Sequence, residues 1–586
     1  MSPKGFVSRS LAAAGLLLFS SATVFAATPI GSTNVTNADP SVPRPLGKPC
    51  VVQLFSNDTF VDFSDHPYSY APPTGCNGKW AKVVLEADFS VTAGRQFDRT
   101  ASLWLGGVNL YFGTTEEPSA TVAPSWHVER DLTDYGALLR QAGNGRAVLG
   151  NVVDGTYTGV ISGSAKLLFY PASILAPAAR VPDAVYPLGS DPIGSTATLN
   201  TSSDTLSKAL SLPRNVERAY LDVFTQSQNN DEFWYTCVPN QYTQQTGECG
   251  GGNFREAEIS IDGQPAGVAP VYPWIYTGGL SDPSLWRPTT GLQALNFMPY
   301  RVDLTPFAGV LSNGAQHTVA VSVAGANTYF SATASLLVYL DARAHQVNGA
   351  ITRNTLVGQP PNPTIGDTLV TDGSGNITGN VSTKLSRHFV IEGYADTSHG
   401  RVTSTVDQTV AFANTEGFNL TATGYDQTTD QLTTVTGVSR SRLGLLLTGE
   451  YRQNLSYPLH IDSNQQGQPD GGYTLATVSH QGYQQHRDHQ LLGLSLYTSD
   501  VGNAVDSTDA YTVSGNVVTG HTGRQSGQTF TFKDSLGSCY RTDVATQNGA
   551  VSGYGTGQGC LGHANRVQWF AHPDGSPDNG STILGW

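Results

Sequence analysis

The apolar residues of this chain recur with a period of two over most of its length. Short segments rich in Val, Leu, Tyr and Phe alternate with turns built from Gly, Asn and Asp, which is the pattern of half-buried β-strands. The strands predicted in the front part of the chain are 81–89, 100–112, 146–153, 156–168, 216–224, 256–262, 318–323 and 332–340. Helical periodicity is nearly absent, and only 135–140 is expected to form a short turn. The pattern predicts an all-β protein built from antiparallel sandwiches or jelly rolls.

A stretch rich in Ala and Pro at 171–182 lies between two groups of predicted strands. Such composition is typical of a linker. We therefore expect two adjacent jelly-roll or β-sandwich domains, at 48–175 and 183–341, since the length of the chain suits about three domains.

The pattern stays β-like beyond the second predicted domain, with polar alternation at 400–413, 432–438 and 511–519. This part of the chain is richer in Gln, Thr and Gly. We expect it to form an additional β-rich C-terminal region, 342–586, as a separate module.

The first 26 residues have the features of an export signal. Lys4 and Arg9 precede an apolar run at 11–19, and VFA at 24–26 fits a small-residue cleavage site. The run is short for a membrane span, so we expect a protein that is secreted or periplasmic after cleavage, with a retained anchor as the alternative. Residues 27–47, rich in Pro, Asn, Ser and Thr, are predicted to be an exposed leader.

Charged residues make up 13% of the chain and its formal net charge is −14. The charged fraction is about half of the usual value, and the composition is that of an extracellular β protein. A negative chain lacks the basic patches that nucleic acid and anionic membranes require. We therefore expect neither as a partner, and a monomer.

The chain has six cysteines, which in an exported protein are expected to pair. Sequence neighbours suggest the bridges Cys50–Cys76, Cys237–Cys249 and Cys539–Cys560, among the other possible connectivities. If all six are paired, no free thiol remains for a cysteine nucleophile.

The segment NNDEFWYTC at 229–237 follows the apolar stretch 219–224. Carboxylates beside aromatic rings suit carbohydrate chemistry, since rings stack on sugars and acids move protons. A strand end with solvated acids is the alternative for such a segment in isolation. Two similar clusters, GRQFDR at 94–99 and WHVERD at 126–131, make the chemical interpretation stronger.

Together these clusters resemble the peptide:N-glycanase A family, amidases that remove N-linked glycans from glycopeptides. The matching motifs occur in one order over about half of the chain: GRQFDR at 94–99, LWLGG at 103–107, TEEP at 115–118, WHVERD at 126–131, LPRN at 212–215, NDEFWY at 230–235, IYTGG at 275–279 and LWRP at 285–288. The resemblance implies a hydrolase that acts on N-glycosylated peptides or glycoproteins without a cofactor.

The family is also similar to a flavobacterial glycopeptidase built from two side-by-side jelly rolls, with its active-site acids at their interface. By this resemblance, Asp98, Glu129 and Glu232 are the counterparts of its catalytic positions. The matches of Glu129 and Glu232 rest on few residues, so Asp131 and Asp231 remain alternatives that would contact the substrate.

The implied reaction is hydrolysis of the β-aspartylglucosaminyl amide, which releases a glycosylamine and converts Asn to Asp. Such a reaction needs a base for water and a proton donor for the leaving nitrogen. We assign Asp98 as the central carboxylate, Glu232 as a donor whose pKa its aromatic neighbours raise, and Glu129 as an orienting group. A protonated carboxyl predicts an acidic pH optimum.

The candidate substrate-binding residues are Arg99, Trp126, Trp234, Trp286 and Arg287. Arg99 is expected to bind a carboxylate or the carbonyl oxygen, or else to hold two strands together by an ion pair. The tryptophans are expected to stack on the first sugars, although a tryptophan in a β protein is as often part of the core.

No metal site is expected. The spacing of His480, His486 and His489 is not that of a helix face, and their neighbours suggest a solvated loop. Two other functions remain open for the whole protein: a glycoside hydrolase with two carboxylates, and a secreted carbohydrate-binding β-sandwich protein.

Overall fold

The computed structural model describes residues 35–578 except 77, 281, 445–446 and 516. The predicted export signal, 1–26, lies outside the described residues. No helix among the described residues is long and apolar enough to cross a membrane.

The first part of the chain forms a sandwich of two antiparallel sheets. Its strands are β1 Cys50–Phe60, β2 His66–Tyr70, β3 Trp80–Val91, β4 Thr100–Leu105, β5 Val108–Thr114, β6 Ser125–Asp131, β7 Gly143–Leu149 and β8 Ile161–Pro171. One sheet has the order β1-β8-β3-β6 and the other β2-β7-β4-β5. A 3₁₀ turn at Thr133–Tyr135 and the short helix α1, Gly136–Leu139, follow β6.

The single strand predicted at 100–112 is a hairpin, β4 and β5. Gly106 and Gly107 make its turn, with φ of 55° and 86°. Glycine adopts these left-handed angles without the steric cost that a β-carbon imposes, so the chain reverses there inside an apolar run.

A second sandwich follows the irregular stretch 172–183. Its strands are β9 Ala184–Pro187, β10 Ala197–Leu199, β11 Leu206–Ser211, β12 Val216–Ser227, β13 Glu256–Ile261, β14 Gln264–Pro270, β15 Tyr300–Asp303, β16 Gln316–Ala324 and β17 Phe330–Leu340. One sheet has the order β10-β17-β12-β15, with β9 also paired to β17, and the other β11-β16-β13-β14.

Short helices connect the strands of this sandwich. The 3₁₀ helices are Asn229–Asp231, Trp234–Thr236, Asn240–Tyr242, Pro283–Trp286 and Thr305–Phe307, and the α-helices are α2 Thr243–Thr246 and α3 Ala308–Leu311.

The C-terminal region is one large antiparallel meander sheet. Its strands are β18 Asn348–Asn354, β19 Thr364–Asp367, β20 Val370–Thr371, β21 Ile377–Thr397, β22 Gly400–Leu420, β23 Gly424–Leu443, β24 Leu447–Gly467, β25 Tyr473–Leu491, β26 Leu494–Ser514, β27 Val517–Asp534, β28 Cys539–Gln547 and β29 Ala550–Thr556. The order is β18-β21 and then sequential to β29, with β19 and β20 also paired to β21. A 3₁₀ turn at Leu561–His563 follows. The all-β class is confirmed.

The meander sheet does not stand apart as the separate module that its composition suggests. Its apolar face continues the core of the second sandwich. Phe412 of β22 contacts the rings of both Trp234 and Phe254, and Tyr457 of β24 packs edge-on against Tyr272 at 4.8 Å. One core therefore spans the second sandwich and the sheet.

The expectation of an exposed leader at 27–47 is wrong for its described second half. The main-chain N–H of Ala38 donates to Gln528 of β27 at 2.6 Å, and that of Val42 donates to Glu129 of β6 at 2.7 Å. Val35, Ala38 and Val42 are buried. The segment lacks regular structure, so contacts with residues distant in sequence hold it, and these leave no local pattern.

Disulfide bonds join Cys50 to Cys76, Cys237 to Cys249 and Cys539 to Cys560. These are the three pairs that the order of the cysteines along the chain suggested. The described residues contain no free cysteine. A thiol nucleophile is therefore not part of the chemistry of this part of the chain.

Candidate active site

A cluster of acidic side chains lies where the two sandwiches meet. The first sandwich contributes Asp98, just before β4, and Glu117, just after β5. The second contributes Glu232, which follows β12, and a loop around Gly278, which follows β14. Both sandwiches are required to assemble this site.

Asp98 is held by the backbone of the opposite sandwich. The N–H of Gly278 donates to the Asp98 carboxylate. A β-carbon at position 278 would stand 2.7 Å from Oδ1 of Asp98 and would collide with Oε1 of Glu117. Only glycine lets the loop backbone approach two carboxyl groups so closely.

Glu117 forms a coupled pair with Asp98. The main-chain N–H of Asp98 donates to Oε1 of Glu117 at 3.0 Å, and the two carboxyl groups are hydrogen-bonded to each other. Burial, followed by the charge of Asp98, raises the pKa of Glu117 to about 7. Burial also raises the pKa of Asp98, against the bonds from Gly278 and Glu117 and the charge of Arg99, which lower it. Two carboxyl groups in contact share one proton because repulsion between two negative charges disfavours ionisation of both.

Glu232 is the third acid of the site. It caps the 3₁₀ turn Asn229–Asp231 and is half-buried. Burial raises its pKa to about 7, with smaller contributions from the charges of Asp98 and Glu117. A carboxyl group with this pKa is a proton donor at mildly acidic pH.

Glu116 lies behind the site and is only 2% exposed. Burial raises its pKa to about 8; the charge of Arg287 opposes the shift and those of Glu117 and Asp98 add to it. Its Oε1 has no hydrogen-bond partner among the described residues. A neutral, protonated Glu116 is therefore the form that this environment favours.

Two arginines shape the walls of the site. Arg287 donates to the carbonyl oxygens of Glu117 and Pro118, at 2.6 Å and 3.3 Å, and its guanidinium lies 3.8 Å from Oε2 of Glu117. Arg99, which follows Asp98 in the sequence, donates to Oε1 of Gln96 at 2.8 Å. Both hold the segments that carry the acids.

Further hydrogen bonds fix the two sandwiches to each other around the acids. Thr277 donates through Oγ1 to the carbonyl oxygen of Thr115 at 2.5 Å. The amides of Gln226 and Gln228 at the end of β12 donate to Oγ1 of Thr100 at the start of β4. These bonds join the two sandwiches directly beside the acids.

An open cleft of about 640 Å³ reaches the site at Glu117 and is lined by Phe97, Glu117 and Arg287, among others. Phe97 is 45% exposed, and its ring lies 5.5 Å from that of Tyr157. The guanidinium of Arg95 lies over both rings. The volume is within the usual range for small-ligand sites, and the exposed ring offers an apolar face to a sugar.

Of the three predicted catalytic acids, the structure brings together Asp98 and Glu232 and places Glu129 in a separate cluster. Glu129 on β6 is 2% exposed and accepts bonds from Arg44 at 2.7 Å and His127 at 3.2 Å. Burial raises its pKa, but the bonds and charges of His127 and Arg44 prevail and lower it. These contacts fix the N-terminal segment to the first sandwich.

Asp131 and Asp231 each lie in an ion pair. Asp131 forms a 2.8 Å ion pair with Lys82, and its pKa is lowered to about 2 because that pairing outweighs burial. Asp231 is fully buried, forms a 2.7 Å ion pair with Arg255, and accepts the main-chain N–H groups of residues 327–329. Neither residue lines the cleft beside Phe97.

The predicted sugar-stacking tryptophans are in the core. Trp126, Trp234 and Trp286 are all less than 2% exposed. Trp126 stacks on Phe89 inside the first sandwich, and Nε1 of Trp286 donates to the carbonyl of Gly279 at 2.7 Å. The aromatic surface of the cleft belongs instead to Phe97.

Glu117 is the main site residue that the sequence reasoning missed. The signal was present: adjacent acids at 116–117 follow the fully buried strand β5, which is the pattern that identified 231–232 after β12. Gly278 belongs to the IYTGG motif at 275–279, but the motif alone does not show that its N–H donates to Asp98.

The prediction of a solvated loop around His480, His486 and His489 is wrong, because all three lie on strand β25. His480 and His486 face outward and His489 is buried against Asp578 at 3.2 Å. Elsewhere, Glu217, Asp341 and His399 bring ligand atoms within 4.8 Å of one another. Asp341 there already accepts three hydrogen bonds, from Ser398 and from the N–H at 343.

Comparison with known proteins gives consistent matches. Residues 40–356 match the family described as peptide N-acetyl-β-D-glucosaminyl asparaginase amidase A, and residues 380–459 match the PNGase A C-terminal domain. The chain is 28% identical over 529 residues to peptide-N4-(N-acetyl-β-glucosaminyl)asparagine amidase A of Prunus dulcis, covering 86% of this chain and 89% of that protein.

Among solved structures, PNGase F, a glycosylasparaginase from Flavobacterium meningosepticum, is 13% identical with a TM-score of 0.34, covering 50% of this chain and 96% of that one. PNGF-II is 14% identical with a TM-score of 0.35, covering 51% of this chain and 66% of that one.

Proposed function

This chain belongs to the peptide N-acetyl-β-D-glucosaminyl asparaginase amidase A family, and from that premise we propose that it hydrolyses the β-aspartylglucosaminyl amide of N-glycopeptides at the Asp98, Glu117 and Glu232 cluster. It is an amidase, a peptide-N-glycosidase.

Three carboxyl groups lie together across the sandwich interface: Asp98 and Glu117 are hydrogen-bonded to each other, and the charges of both act on Glu232. Glu117 and Glu232 each have a pKa raised to about 7, so both are protonated in mild acid. Glu117 donates its proton to Asp98, whose ionised form also accepts the N–H of Gly278. The cluster thus holds a carboxylate and a carboxylic acid side by side, which acid–base catalysis requires.

In the proposed first step, Asp98 takes a proton from water as the water oxygen attacks the side-chain carbonyl carbon of the glycosylated Asn. The C–O bond forms and the carbonyl π-electrons move to its oxygen. Glu117 stabilises the position of Asp98 and leaves one oxygen of that carboxylate available to water. Each well-placed proton-transfer group contributes roughly 10²–10⁴-fold to the rate.

In the second step, Glu232 gives its proton to the amide nitrogen as the C–N bond breaks. The peptide is left with an Asp carboxyl group, and the glycan leaves as a glycosylamine. The proton taken by Asp98 returns to Glu232 through solvent, so the cycle uses one water and no other reactant. Because Glu232 must be protonated and its pKa is about 7, the rate falls as the pH rises above neutral.

For substrate binding we assign the first sugars to the cleft beside Phe97. Its exposed ring, backed by Tyr157 and Arg95, supplies a rigid apolar face. Arg287 borders the same cleft, within reach of a sugar hydroxyl or a peptide carbonyl. The buried tryptophans have no part in this assignment.

We further propose that the protein acts outside the cytosol, as a monomer. Three disulfides close its sandwiches and the end of its meander sheet, and such bridges persist in oxidising compartments. N-terminal sequencing of protein from the periplasm or medium would show residue 27 first, and light scattering would give the mass of one chain. Protein retained in the cytosol with an intact N-terminus would contradict the export.

The activity is tested with a defined N-glycopeptide in ¹⁸O-water near pH 5. Mass spectrometry is expected to show one ¹⁸O atom in the new Asp of the peptide. Proton NMR during the first minutes is expected to show the glycosylamine before it hydrolyses to the free glycan.

The alternatives give different products in the same experiment. Trimmed glycan with intact Asn would make the protein a glycoside hydrolase. Glycopeptide that binds and stays unchanged would make it a carbohydrate-binding protein. A free reducing glycan with no preceding glycosylamine would contradict direct cleavage of the amide.

A further inference from the structure

A row of four titratable side chains crosses the outer face of the meander sheet. Asp430 of β23, His460 of β24, His480 of β25 and Asp506 of β26 are direct cross-strand partners in that order. All four side chains are at least 37% exposed. They take no part in the proposed reaction.

The two aspartates orient the two histidines in the same way. Nδ1 of His460 bonds to Oδ1 of Asp430 at 2.7 Å, and Nδ1 of His480 bonds to Oδ1 of Asp506. Since a carboxylate only accepts, each Nδ1 carries the proton. Each Nε2 then has a free lone pair, and neither has a hydrogen-bond partner among the described residues.

The rings stand next to each other, with centroids 5.7 Å apart and planes inclined at 31°. Metal–nitrogen bonds of about 2.0–2.1 Å put the centroids of two imidazoles on one ion roughly 5 Å apart. The observed separation of the rings is therefore close to the one that a shared ion requires. Metal-bound histidines usually donate their other N–H to a carboxylate, which fixes the tautomer and raises the basicity of the ligand nitrogen.

We propose that His460 and His480 bind one divalent transition-metal ion through their Nε2 atoms, with Asp430 and Asp506 as the supporting carboxylates and water as the remaining ligands. Imidazole nitrogen suits Cu²⁺, Ni²⁺ and Zn²⁺, with Cu²⁺ the tightest. The site is a surface chelate on adjacent rigid strands.

The surrounding charge favours a cation. Asp462, two positions beyond His460 on β24, interacts electrostatically with that imidazole. Oδ1 of Asp462 has no hydrogen-bond partner among the described residues. Asp430 and Asp506 each place a carboxylate against one ring, and these negative charges attract a divalent ion.

The same face carries a matched control. His486 bonds through Nδ1 to Asp500 at 2.7 Å and is similarly exposed, but its partner across β24 is Asn454. It has the supporting aspartate without the second histidine. If an isolated His–Asp pair were enough to bind metal, His486 would bind as well as the proposed pair.

The test is calorimetric titration of the untagged, chelator-stripped full chain with CuCl₂ and with ZnCl₂ at pH 7.5. The wild type is expected to bind one ion, and His460→Gln and His480→Gln to lose more than tenfold in affinity. His486→Gln is expected to bind like the wild type, as is His399→Gln, which removes the histidine of the other candidate group. Asp430→Asn and Asp506→Asn are expected to weaken binding about 10–100-fold.

Electron paramagnetic resonance of the Cu²⁺ complex gives a second measurement, with two nitrogen ligands expected in the wild type and one in each single variant. Thermal melts without metal establish that every variant is folded. Absence of saturable binding, binding unchanged in His460→Gln, or an equal loss in His486→Gln would overturn the proposal.

Discussion

The main-chain N–H of Asp98 donates a 3.0 Å hydrogen bond to Oε1 of Glu117, and the carboxyl groups of the same two residues are bonded to each other. This double link ties the turn before β4 to the segment after β5. It makes Glu117 the residue that sets both the position and the charge of Asp98.

Two substitutions of Glu117 therefore distinguish its hydrogen bonds from its carboxyl group: Glu117→Gln keeps the bonds, and Glu117→Ala removes them. Glu117→Gln keeps an oxygen for the Asp98 N–H and an amide donor for its carboxylate, and we expect kcat/KM at pH 5 within about tenfold of the wild type. Glu117→Ala removes both bonds and is expected to lose about 10²-fold, within the range for a proton-transfer site. Equal losses in the two variants, measured on one glycopeptide, would show that Glu117 does not act through Asp98.

Gly278 is predicted to tolerate no side chain. Gly278→Ala forces a β-carbon against Oδ1 of Asp98 and Oε1 of Glu117, so we expect kcat to fall by at least about 10²-fold, because a small misplacement of catalytic groups is costly. Gly155→Ala is the control, since a β-carbon there meets nothing within 4 Å. Normal activity in Gly278→Ala would mean that the loop is not held against the acids.

Glu129 is predicted to support stability and not catalysis. Glu129→Gln weakens its ion pair with Arg44 and its bond to His127, and leaving buried partners unsatisfied costs about 1–3 kcal/mol. We expect a lower Tm and a kcat/KM within about threefold of the wild type. A loss of activity above about 10²-fold at unchanged Tm would return Glu129 to the catalytic set.

The stability of the fold is predicted to fall as the pH rises. Burial raises the pKa of Glu416 to about 8, against hydrogen bonds from Thr429, Asn414 and Gln427 that lower it. The unfolded chain loses this proton near pH 4.5, so the contribution of Glu416 is complete below pH 4.5 and is lost between about 4.5 and 8. Thermal melts should show Tm decreasing from pH 5 to pH 8, with a smaller decrease in Glu416→Gln. Parallel curves for the two proteins would contradict the assignment.

Much of the fold follows from local pattern. The strands β3, β12 and β17 are apolar runs bounded by turns, and the period of two identified each of them. The clusters of acids and aromatic rings at 94–99 and 229–237 are visible in short windows of the sequence, but it was the family resemblance that singled out Asp98 and Glu232 within them. Glu117 has the same signature and lacked only aromatic neighbours.

The features that sequence could not supply depend on distant contacts. Burial of Trp126, Trp234 and Trp286 is decided by which sheets pack together, and composition does not encode that. The buried segment that begins at Val35 is held by residues hundreds of positions away. The strands β21–β27 are about twenty residues long, and their internal Gly, Asn and Gln residues, which usually signal turns, lie within paired strands because neighbours on both sides satisfy the backbone.

Single-turnover cleavage of one N-glycopeptide by Asp98→Asn and Glu232→Gln across pH 4 to 8 shows whether the acids at the sandwich interface perform the hydrolysis. We expect Asp98→Asn to lose at least about 10³-fold in rate at every pH. Glu232→Gln is expected to lose about 10²–10⁴-fold and to show a smaller decline above pH 7, because Glu117 alone then has a pKa near that value. Cleavage by Asp98→Asn at the wild-type rate, with its pH dependence unchanged, would contradict this assignment.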